Sequence, residues 1–244
     1  MSLSKFTDPR LTWINEPSSW NINDDTGMTE GSNGKVELLT DDELIIRPPA
    51  YKDFWRRTFY SPLLIKNDGS ALVCQISSQQ ECTVQVDFEM SPKSQFDQAG
   101  LLIYIDDCHW LKCGIEFCDG LPRLSCVVCN VYSDWSTQVW SSTGARLRVH
   151  KILQSSSVLL EAAPLGSDDF HFFRIAHLSS RASHRGVEHA NEAAAQGTDD
   201  DLPWQVGPTA ICAMAQKGFS ARFTKFSVGP RLPSVHSTDA SGMV

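Results

Sequence analysis

The sequence lacks any long hydrophobic run. No apolar stretch approaches the roughly 20 residues that a helix needs to span a bilayer. The N-terminus also lacks the apolar segment of a secretory signal peptide. We therefore expect neither export nor membrane insertion, and we predict a cytoplasmic location.

Basic side chains are too few and too scattered for a nucleic-acid-binding protein. The chain has 21 Lys and Arg against 29 Asp and Glu, which gives a formal net charge of -8. Phosphate binding needs Lys and Arg clustered on one face, and the only dense basic step is Arg56–Arg57. We therefore expect no nucleic acid among the partners.

The common sequence signatures of catalysis are also missing. The chain contains no H-E-x-x-H, no phosphate-binding G-x-x-x-x-G-K-[ST], no dinucleotide-binding G-x-G-x-x-G and no G-x-S-x-G nucleophile elbow. Their absence lowers the expectation of an enzyme without excluding one, and no cofactor is predicted.

Cysteine is plentiful, but its pattern favours neither disulfides nor a metal. Without a signal peptide, eight cysteines in a chain of 244 residues are best interpreted as reduced thiols. Cys126 and Cys129 have C-x-x-C spacing, but residues three apart on a strand point to opposite faces and cannot chelate together. We predict no metal site, and we interpret Cys113 and Cys126 as small buried hydrophobic residues.

Strand signals dominate the rest of the chain. Short runs rich in β-branched and aromatic residues alternate with Gly, Pro, Asn, Asp and Ser, as in a sandwich or barrel. The predicted strands are 43–47, 71–76, 83–90, 101–105, 110–117, 123–131, 146–149, 158–161, 170–178 and 219–228. We predict an all-β, antiparallel two-sheet β-sandwich. It is a single domain over residues 1–230, with a surface insertion at about 179–201 and a polar, disordered tail at 231–244.

Two hairpins in the middle of the chain constrain each other's register. Apolar residues alternate along strands 101–105 and 110–117, and aligning their apolar faces requires a three-residue loop at 106–108. The next turn, Asp119–Gly120, is a strong hairpin signal, because a type I′ turn needs positive φ at both central positions. It pairs strand 110–117 with strand 123–131.

The face of this meander that points away from the core mixes aromatic and polar side chains. In the predicted registers, Glu116 lies between Gln98 on one neighbouring strand and Arg123 on the other. The full set is Gln98, Tyr104, Trp110, Lys112, Glu116 and Arg123. Such a mixture suits stacking on a ligand and hydrogen bonding to its polar groups. The same residues also fit a solvated sheet surface with cross-strand pairs and no ligand.

Glu116 is expected to be ionised in this setting. A neighbouring cation and hydrogen bonds to the charged form both lower a carboxyl pKa, which suits a ligand-binding acceptor and opposes a general acid. If the face is wet, Glu116→Ala should cost about 1 kcal/mol or less of stability.

Segments in order along the chain carry a resemblance to a known family. They are WINEP at 13–17 with Trp20, DFWR at 53–56, FDQAGL at 96–101, WLKCGIEF at 110–117 and SDWS at 133–136. The sequence resembles the family labelled "regulation of enolase", whose members are similar in fold to concanavalin A-like lectins and glucanases. The matches extend from Trp13 to about Val228, nearly the whole chain.

The resemblance implies a jelly-roll sandwich with one concave sheet, lined by the polar and aromatic face. It also implies a cytosolic protein that acts on metabolism through a partner protein, such as the enzyme enolase. Trp55, Arg56, Asp134 and Trp135 lie in the matching segments and join the candidate ligand-binding residues. The alternative for Asp53, Trp55, Asp134 and Trp135 is structural: the tryptophans plug sandwich edges and the aspartates cap turns. We favour this alternative for Asp53 and Trp135.

Three functions stay open. The first is a non-catalytic protein that binds a partner protein or small ligand through the concave face. The second is a carbohydrate-binding module, since aromatic rings flanked by polar side chains suit a sugar and its hydroxyls. The third is a glycoside-active enzyme using Glu116. It would need a second carboxyl about 5 to 5.5 Å away if it retains configuration, and Asp97 and Asp134 are the candidates.

Overall fold

The structure, a computed structural model, describes residues 2–24, 27–30, 42–152, 156–178, 202–214 and 218–236. Within these ranges the chain forms seventeen β-strands, and none of it forms a helix long and apolar enough to cross a membrane. The predicted insertion at 179–201 lies outside the described residues, as do residues 237–244 of the predicted tail.

The strands follow one another along the chain with short connections. They are β1 (Thr12–Ile14), β2 (Ser19–Asp24), β3 (Gly27–Glu30), β4 (Glu43–Arg47), β5 (Phe54–Arg56), β6 (Ile65–Asn67), β7 (Ser70–Ile76), β8 (Cys82–Met90), β9 (Asp97–Asp106), β10 (His109–Cys118), β11 (Leu121–Asn130), β12 (Tyr132–Val139), β13 (Gly144–Ile152), β14 (Ser157–Ala163), β15 (His171–His177), β16 (Trp204–Cys212) and β17 (Ala221–Gly229).

Two large antiparallel sheets pack face to face. The seven-stranded sheet has the order β1-β7-β16-β9-β10-β11-β12, and the eight-stranded sheet has the order β15-β14-β13-β8-β17-β4-β2-β3. Strands β5 and β6 form a separate two-stranded sheet. The prediction of an antiparallel two-sheet β-sandwich is confirmed.

The registers of the central meander agree with the prediction. Strand β10 sets Glu116 opposite Gln98 of β9 on one side and opposite Arg123 of β11 on the other. Asp119 and Gly120 have φ values of 55° and 79°, as a type I′ turn requires.

The turn between β9 and β10 is tighter than predicted. His109 pairs with Asp106, so the loop contains two residues instead of three, and the register then shifts so that Trp110 faces Tyr104. The extra residue, Ile105, forms a bulge. The bulge restores the predicted pairing for the rest of the hairpin.

The main core lies between the two large sheets. Leu101, Ile103 and Leu111 of the seven-stranded sheet pack with Leu147 and Val149 of the eight-stranded sheet, and all are buried. These apolar residues alternate along their strands, so the intervening residues project from the outer faces of the sandwich. The outer face of the seven-stranded sheet is the one predicted to carry a binding site.

The first residues of the predicted tail have defined contacts. The backbone N–H of Leu232 donates to Thr83 Oγ1 at 2.8 Å, and that of Val235 donates to Glu161 Oε1 at 2.6 Å. Residues 231–236 therefore lie against the outer face of the eight-stranded sheet.

Candidate binding site

The outer face of the seven-stranded sheet is partly covered by residues 53–67, which we call the cover segment. Its strands β5 and β6 pair with each other and lie over the sheet, where Phe54 and Trp55 pack with Trp110, Val127 and other residues of a second hydrophobic cluster. The Phe54 and Trp110 ring centroids are 5.7 Å apart. Burying side chains of this size contributes roughly 1.5–3 kcal/mol each, which is enough to hold a short segment without a pairing to the main sheet.

A cavity with a volume of about 360 Å³ remains between the cover segment and the sheet. Its size is at the lower end of the range of ligand-binding pockets. It is lined by Asp53, Trp55, Tyr60, Ser61, Pro62, Leu64, Lys66, Phe96, Lys112, Glu116, Val127, Trp135, Ala213 and Met214. Most of these side chains are apolar or aromatic, and the polar groups are few.

Four aromatic rings form the walls of the cavity and meet nearly at right angles. Trp55 and Tyr60 have centroids 5.3 Å apart with 69° between their planes. The angle is 88° between Trp55 and Trp135 and 78° between Phe96 and Trp135, both with centroids 6.2 Å apart. This edge-to-face arrangement is a favourable one for aromatic rings.

Glu116 is held rigidly beside these rings. Its Oε2 accepts hydrogen bonds from Ser125 Oγ at 2.6 Å and Trp135 Nε1 at 3.1 Å, and Trp135 Nε1 also lies 2.9 Å from Ser125 Oγ. Gln98 Nε2 is 3.5 Å from the other oxygen, Oε1. Arg123 is not among the hydrogen-bond partners, although it lies directly opposite in the register.

The expectation of a wet face and a lowered Glu116 pKa is wrong. Glu116 is only 5% exposed, and its burial raises the pKa of the carboxyl above its usual value; the charge of Lys112 and the Ser125 hydrogen bond oppose this only in part. The cover segment is the reason, because it removes from water a sheet face that would otherwise be solvated.

Lys112 and Asp53 connect the sheet to the cover segment. Lys112 Nζ lies 2.5 Å from Asp53 Oδ1, and the lysine is only 4% exposed. Asp53 Oδ1 also accepts the backbone N–H of Phe54 at 2.7 Å. A buried lysine without a counter-charge would be costly, so this ion pair fixes where the cover segment begins.

The glycine between Lys112 and Glu116 is required by the close approach of two strands. A Cβ atom on Gly114 would lie 1.9 Å from the backbone oxygen of Ala99. A small second cavity lies beside this glycine, bordered by Lys112, Glu116, Gln98, Ser125 and Thr209.

Comparison with known families places the chain. Residues 32–231 match the model of the family described as "Protein of unknown function (DUF1349)". The chain belongs to this family.

Its relatives include a protein with a functional name. "Regulation of enolase protein 1" from Saccharomyces cerevisiae is 40% identical over 129 residues, which are 53% of this chain and 54% of that protein. The chain thus matches about half the length of this relative.

Solved structures extend the likeness to the fold. The crystal structure of a functionally unknown protein from Saccharomyces cerevisiae has a TM-score of 0.70 and 26% identity, covering 94% of this chain and 100% of that one. A xylan beta-1,4-xylosidase from Bacillus halodurans has a TM-score of 0.56 and 15% identity, with 91% of this chain and 39% of that chain covered. The xylosidase shares the fold alone.

Within this DUF1349 chain, the structure brings four of the ten predicted site residues to the cavity: Trp55, Lys112, Glu116 and Trp135. Gln98 lies next to them, at the small second cavity. Apart from Trp55, which the cover segment contributes, their proximity follows from the registers of β9 to β12, which the sequence predicted up to β11.

The other predicted residues lie elsewhere. Trp110 is fully buried beneath Phe54 and does not project from an open face. Tyr104 packs beside Phe54, and its hydroxyl donates to Asp107 at 2.5 Å. Burial raises the pKa of Tyr104 to about 12. Both residues support the cover segment instead of lining the cavity.

Arg56, Arg123 and Asp134 also do not line the cavity. The backbone N–H of Arg56 donates to Ser133 Oγ at 2.9 Å, which joins the cover segment to the start of β12. Asp134 is mostly exposed and pairs with Arg174 at 3.2 Å. Neither Asp134 nor Asp97 supplies the second carboxyl; Asp97 is buried and accepts the backbone N–H groups of residues 93 and 94.

Sequence reasoning missed Tyr60, Phe96, Ser125 and the role of Asp53. The register predicts Ser125 opposite Gly114, so its position next to Glu116 could have been found. Tyr60 lies in an irregular loop flanked by Arg57 and Phe59, both with positive φ. No pattern in the sequence signals that this loop folds over the sheet.

The cysteines are distributed as their spacing predicted. All eight are free thiols. Cys126 lies in the main core and Cys129 in the second cluster, on opposite faces of β11. Across the described ranges, no group of three or more His, Cys, Asp or Glu side chains is arranged to hold a metal ion.

Proposed function

We propose that the protein is a non-catalytic binding protein whose cavity receives a small ligand or a group presented by a partner protein. On this proposal, binding regulates a metabolic enzyme such as enolase in the cytoplasm. The observation that carries the proposal is the cavity itself: aromatic walls surround a carboxyl that two donors already hold in position. Such preorganised polar groups in an apolar pocket favour binding, because little ordering cost remains.

The regulatory part is supported by the name of the yeast relative. The aligned region covers about half of each protein, so the regulatory role is an inference from a partial match. Exposed apolar side chains near the cavity support a partner as well as a free ligand: Met214 lines the cavity, and Phe59 and Leu63 are next in sequence to lining residues. Apolar side chains in such a cluster are typical of contact surfaces.

Blocking the cavity tests the binding function. Ala213 lines the cavity, is only partly buried and lies just after β16, so Ala213→Trp should fill the space without disturbing the core. A metabolite and fragment screen by ligand-observed NMR should give ligands that bind the natural protein and lose at least about tenfold in affinity with the variant.

Leu121→Trp is the matched control, since Leu121 is exposed at the β10–β11 turn and does not line the cavity. The control should bind as the natural protein does. A complete screen without a single ligand sensitive to Ala213→Trp would count against the binding function.

The regulatory part needs its own measurement. Purified enolase should change its activity or elution volume when the protein is added, and Ala213→Trp should abolish the change while Leu121→Trp keeps it. If enolase is unaffected, the cavity remains a binding site and enolase is not its partner.

The comparisons do not favour the second candidate, a glycoside-active enzyme, because the solved glycoside hydrolases that share the fold are distant in sequence, but the environment of Glu116 gives it a test. The raised pKa of Glu116 suits a general acid, and Asp53 is a nearby carboxyl whose charge contributes to that rise. Against it, Asp53 is held by Lys112. Chromogenic glycosides provide the test: turnover abolished by Glu116→Gln would establish catalysis, and no turnover or turnover unaffected by the variant would remove this candidate.

A further inference from the structure

The angles between the aromatic rings of the cavity indicate which class of ligand the cavity suits. A sugar ring stacks on a flat aromatic platform, whereas the rings of the cavity stand nearly perpendicular to one another, with angles of 69°, 78° and 88° between neighbouring planes. Rings that stand at steep angles to one another suit a compact, rounded group better than a flat sugar ring. The faces of Trp, Tyr and Phe carry negative potential and attract cations.

The charges around the cavity also favour a cation. Four Asp, Glu and Lys side chains line it: Asp53, Lys66, Lys112 and Glu116. Lys112 is neutralised by Asp53 at 2.5 Å. Lys66 donates to the backbone oxygen of Tyr51 at 2.9 Å and lies 3.8 Å from Asp68. Glu116 is the carboxyl of these four that makes no ion pair, although the charge of the nearby Lys112 acts on it.

One oxygen of Glu116 has acceptor capacity to spare. Ser125 and Trp135 both donate to Oε2, while Oε1 has only Gln98 at 3.5 Å. A buried carboxylate gains most from a neighbouring charge of opposite sign, because water does not screen the interaction. A cation in the cavity would supply that charge.

We infer that the cavity binds an organic cation, an alkylated ammonium group enclosed by the four aromatic rings and paired with Glu116. This inference rests on the proposed binding function and names the chemistry of its ligand. The volume of about 360 Å³ accommodates a trimethylammonium head with a short tail. Such a group comes from a free quaternary amine or from an N-methylated lysine of a partner protein.

Calorimetric titration with choline, compared with 3,3-dimethylbutanol, tests the charge requirement. The two molecules have nearly the same shape, and only choline is charged. We expect choline to bind at least about tenfold more tightly, which is the size of a desolvated cation–π contribution. Xylose and glucose, as neutral ring ligands, should bind no better than the butanol.

Substitutions at two positions, Tyr60 and Glu116, assign the effect to the cavity. Tyr60→Leu should weaken choline binding severalfold, and Tyr60→Phe should retain it because the ring remains. Glu116→Gln should weaken choline binding and leave the neutral molecule unaffected. Phe172→Leu, which removes an exposed aromatic ring of the eight-stranded sheet, is the control and should bind as the natural protein does. Circular dichroism melting verifies that each variant is folded.

The source of the cation is decided by a second pair of titrations. A peptide that contains trimethyl-lysine should bind more tightly than the same peptide with unmodified lysine. If the ligand belongs to a partner protein, the trimethyl-lysine peptide should also bind more tightly than choline. If choline binds more tightly than the peptide, the ligand is a free amine.

The outcomes separate this inference from the binding function. If choline and 3,3-dimethylbutanol bind equally well and Ala213→Trp abolishes the binding of both, the inference of a cationic ligand is wrong, but the cavity is still a binding site. Choline affinity unchanged by Tyr60→Leu and Glu116→Gln would also overturn it. If neither choline nor the trimethyl-lysine peptide binds, the cation inference is wrong, and the fragment screen alone decides whether the cavity binds other ligands.

Discussion

The two outer faces of the sandwich each bury a carboxyl group, but the surroundings of the two carboxyls differ. On the seven-stranded sheet, Glu116 is surrounded by a cavity that the cover segment leaves open. On the eight-stranded sheet, Glu161 and His150 are both fully buried, with Nε2 of the histidine 3.0 Å from Oε2 of the carboxyl. Each face buries a carboxyl, and the one on the seven-stranded sheet is next to a ligand-sized cavity.

The closed face has a partner for each of these polar atoms. His150 Nδ1 is 2.9 Å from Thr83 Oγ1, and the second oxygen of Glu161 accepts the backbone N–H of Val235. The chain itself thus provides, from residues 231–236, the donors that a ligand would otherwise provide. Polar groups that are saturated by their own chain stabilise a fold, whereas the spare acceptor of Glu116 is available for binding.

The largest effect is expected from removing the anchor of the cover segment. Phe54→Ala should cost about 3–5 kcal/mol in free energy of unfolding, as for other buried aromatic residues, because Phe54 is fully buried against Trp110. Urea denaturation measures it, and Phe59→Ala, at a 90% exposed position, should stay within about 0.5 kcal/mol. Equal effects of the two variants would mean that the cover segment is not anchored as described.

Opening the closed face should cost somewhat less. Glu161→Ala removes the acceptor of His150 Nε2 and of the Val235 N–H, and a buried donor left unsatisfied costs about 1–3 kcal/mol. Hydrogen exchange at Val235 should accelerate, which reports detachment of residues 231–236. Asp169→Ala, which breaks an exposed pair with His171, is the control and should change the stability by about 0.5 kcal/mol or less. An unchanged exchange rate at Val235 would show that Glu161 does not hold residues 231–236 against the sheet.

The two faces should respond to pH with opposite signs. Burial lowers the pKa of His150, with the charges of Arg148 and Arg231 acting in the same direction and Glu161 opposing. The unfolded chain therefore binds the proton more readily, and stability from this residue is lost as the pH falls below about 6.5. Burial raises the pKa of Glu116, so its contribution to stability is lost as the pH rises above about 4.5.

Single variants separate the two contributions. The measurement is the free energy of unfolding in urea from about pH 4 to about pH 7.5. In His150→Gln, this free energy should fall less towards acid pH than it does in the natural protein. Glu116→Gln should gain stability relative to the natural protein as the pH rises. Parallel pH profiles for the natural protein and either variant would show that the residue in question does not titrate as described.

The smallest effect is expected at the edge of the seven-stranded sheet. Asp134→Ala removes an ion pair with Arg174 in which the aspartate is mostly exposed, and such pairs contribute about 0–1 kcal/mol. Affinity of any cavity ligand should be unchanged, because Asp134 does not line the cavity. A loss of ligand binding in this variant would restore Asp134 to the site.

The strands with clear alternation of apolar and polar residues were predictable, and those without it were not. Strands β9, β10 and β11 share a continuous apolar face, and the Asp119–Gly120 turn joins β10 to β11. These two features together determine the register. Strands β1, β5 and β6 have only three residues each, too few for a period to be recognised. Strand β12 is largely exposed along its length, so no burial pattern marks it.

For the candidate site, the sequence by itself determined that Glu116, Lys112 and Gln98 share a face, since the face of a residue follows from strand periodicity and register. Only the tertiary structure decided that this face is buried, because the cover segment reaches it from 59 positions earlier in the chain, as measured from Asp53 to Lys112. That distant contact pairs Asp53 with Lys112, surrounds Glu116 with aromatic rings and raises the pKa that local neighbours alone would have lowered. The pKa of a side chain depends on every group that packs around it, whereas the pattern of a strand identifies only the neighbours within the sheet.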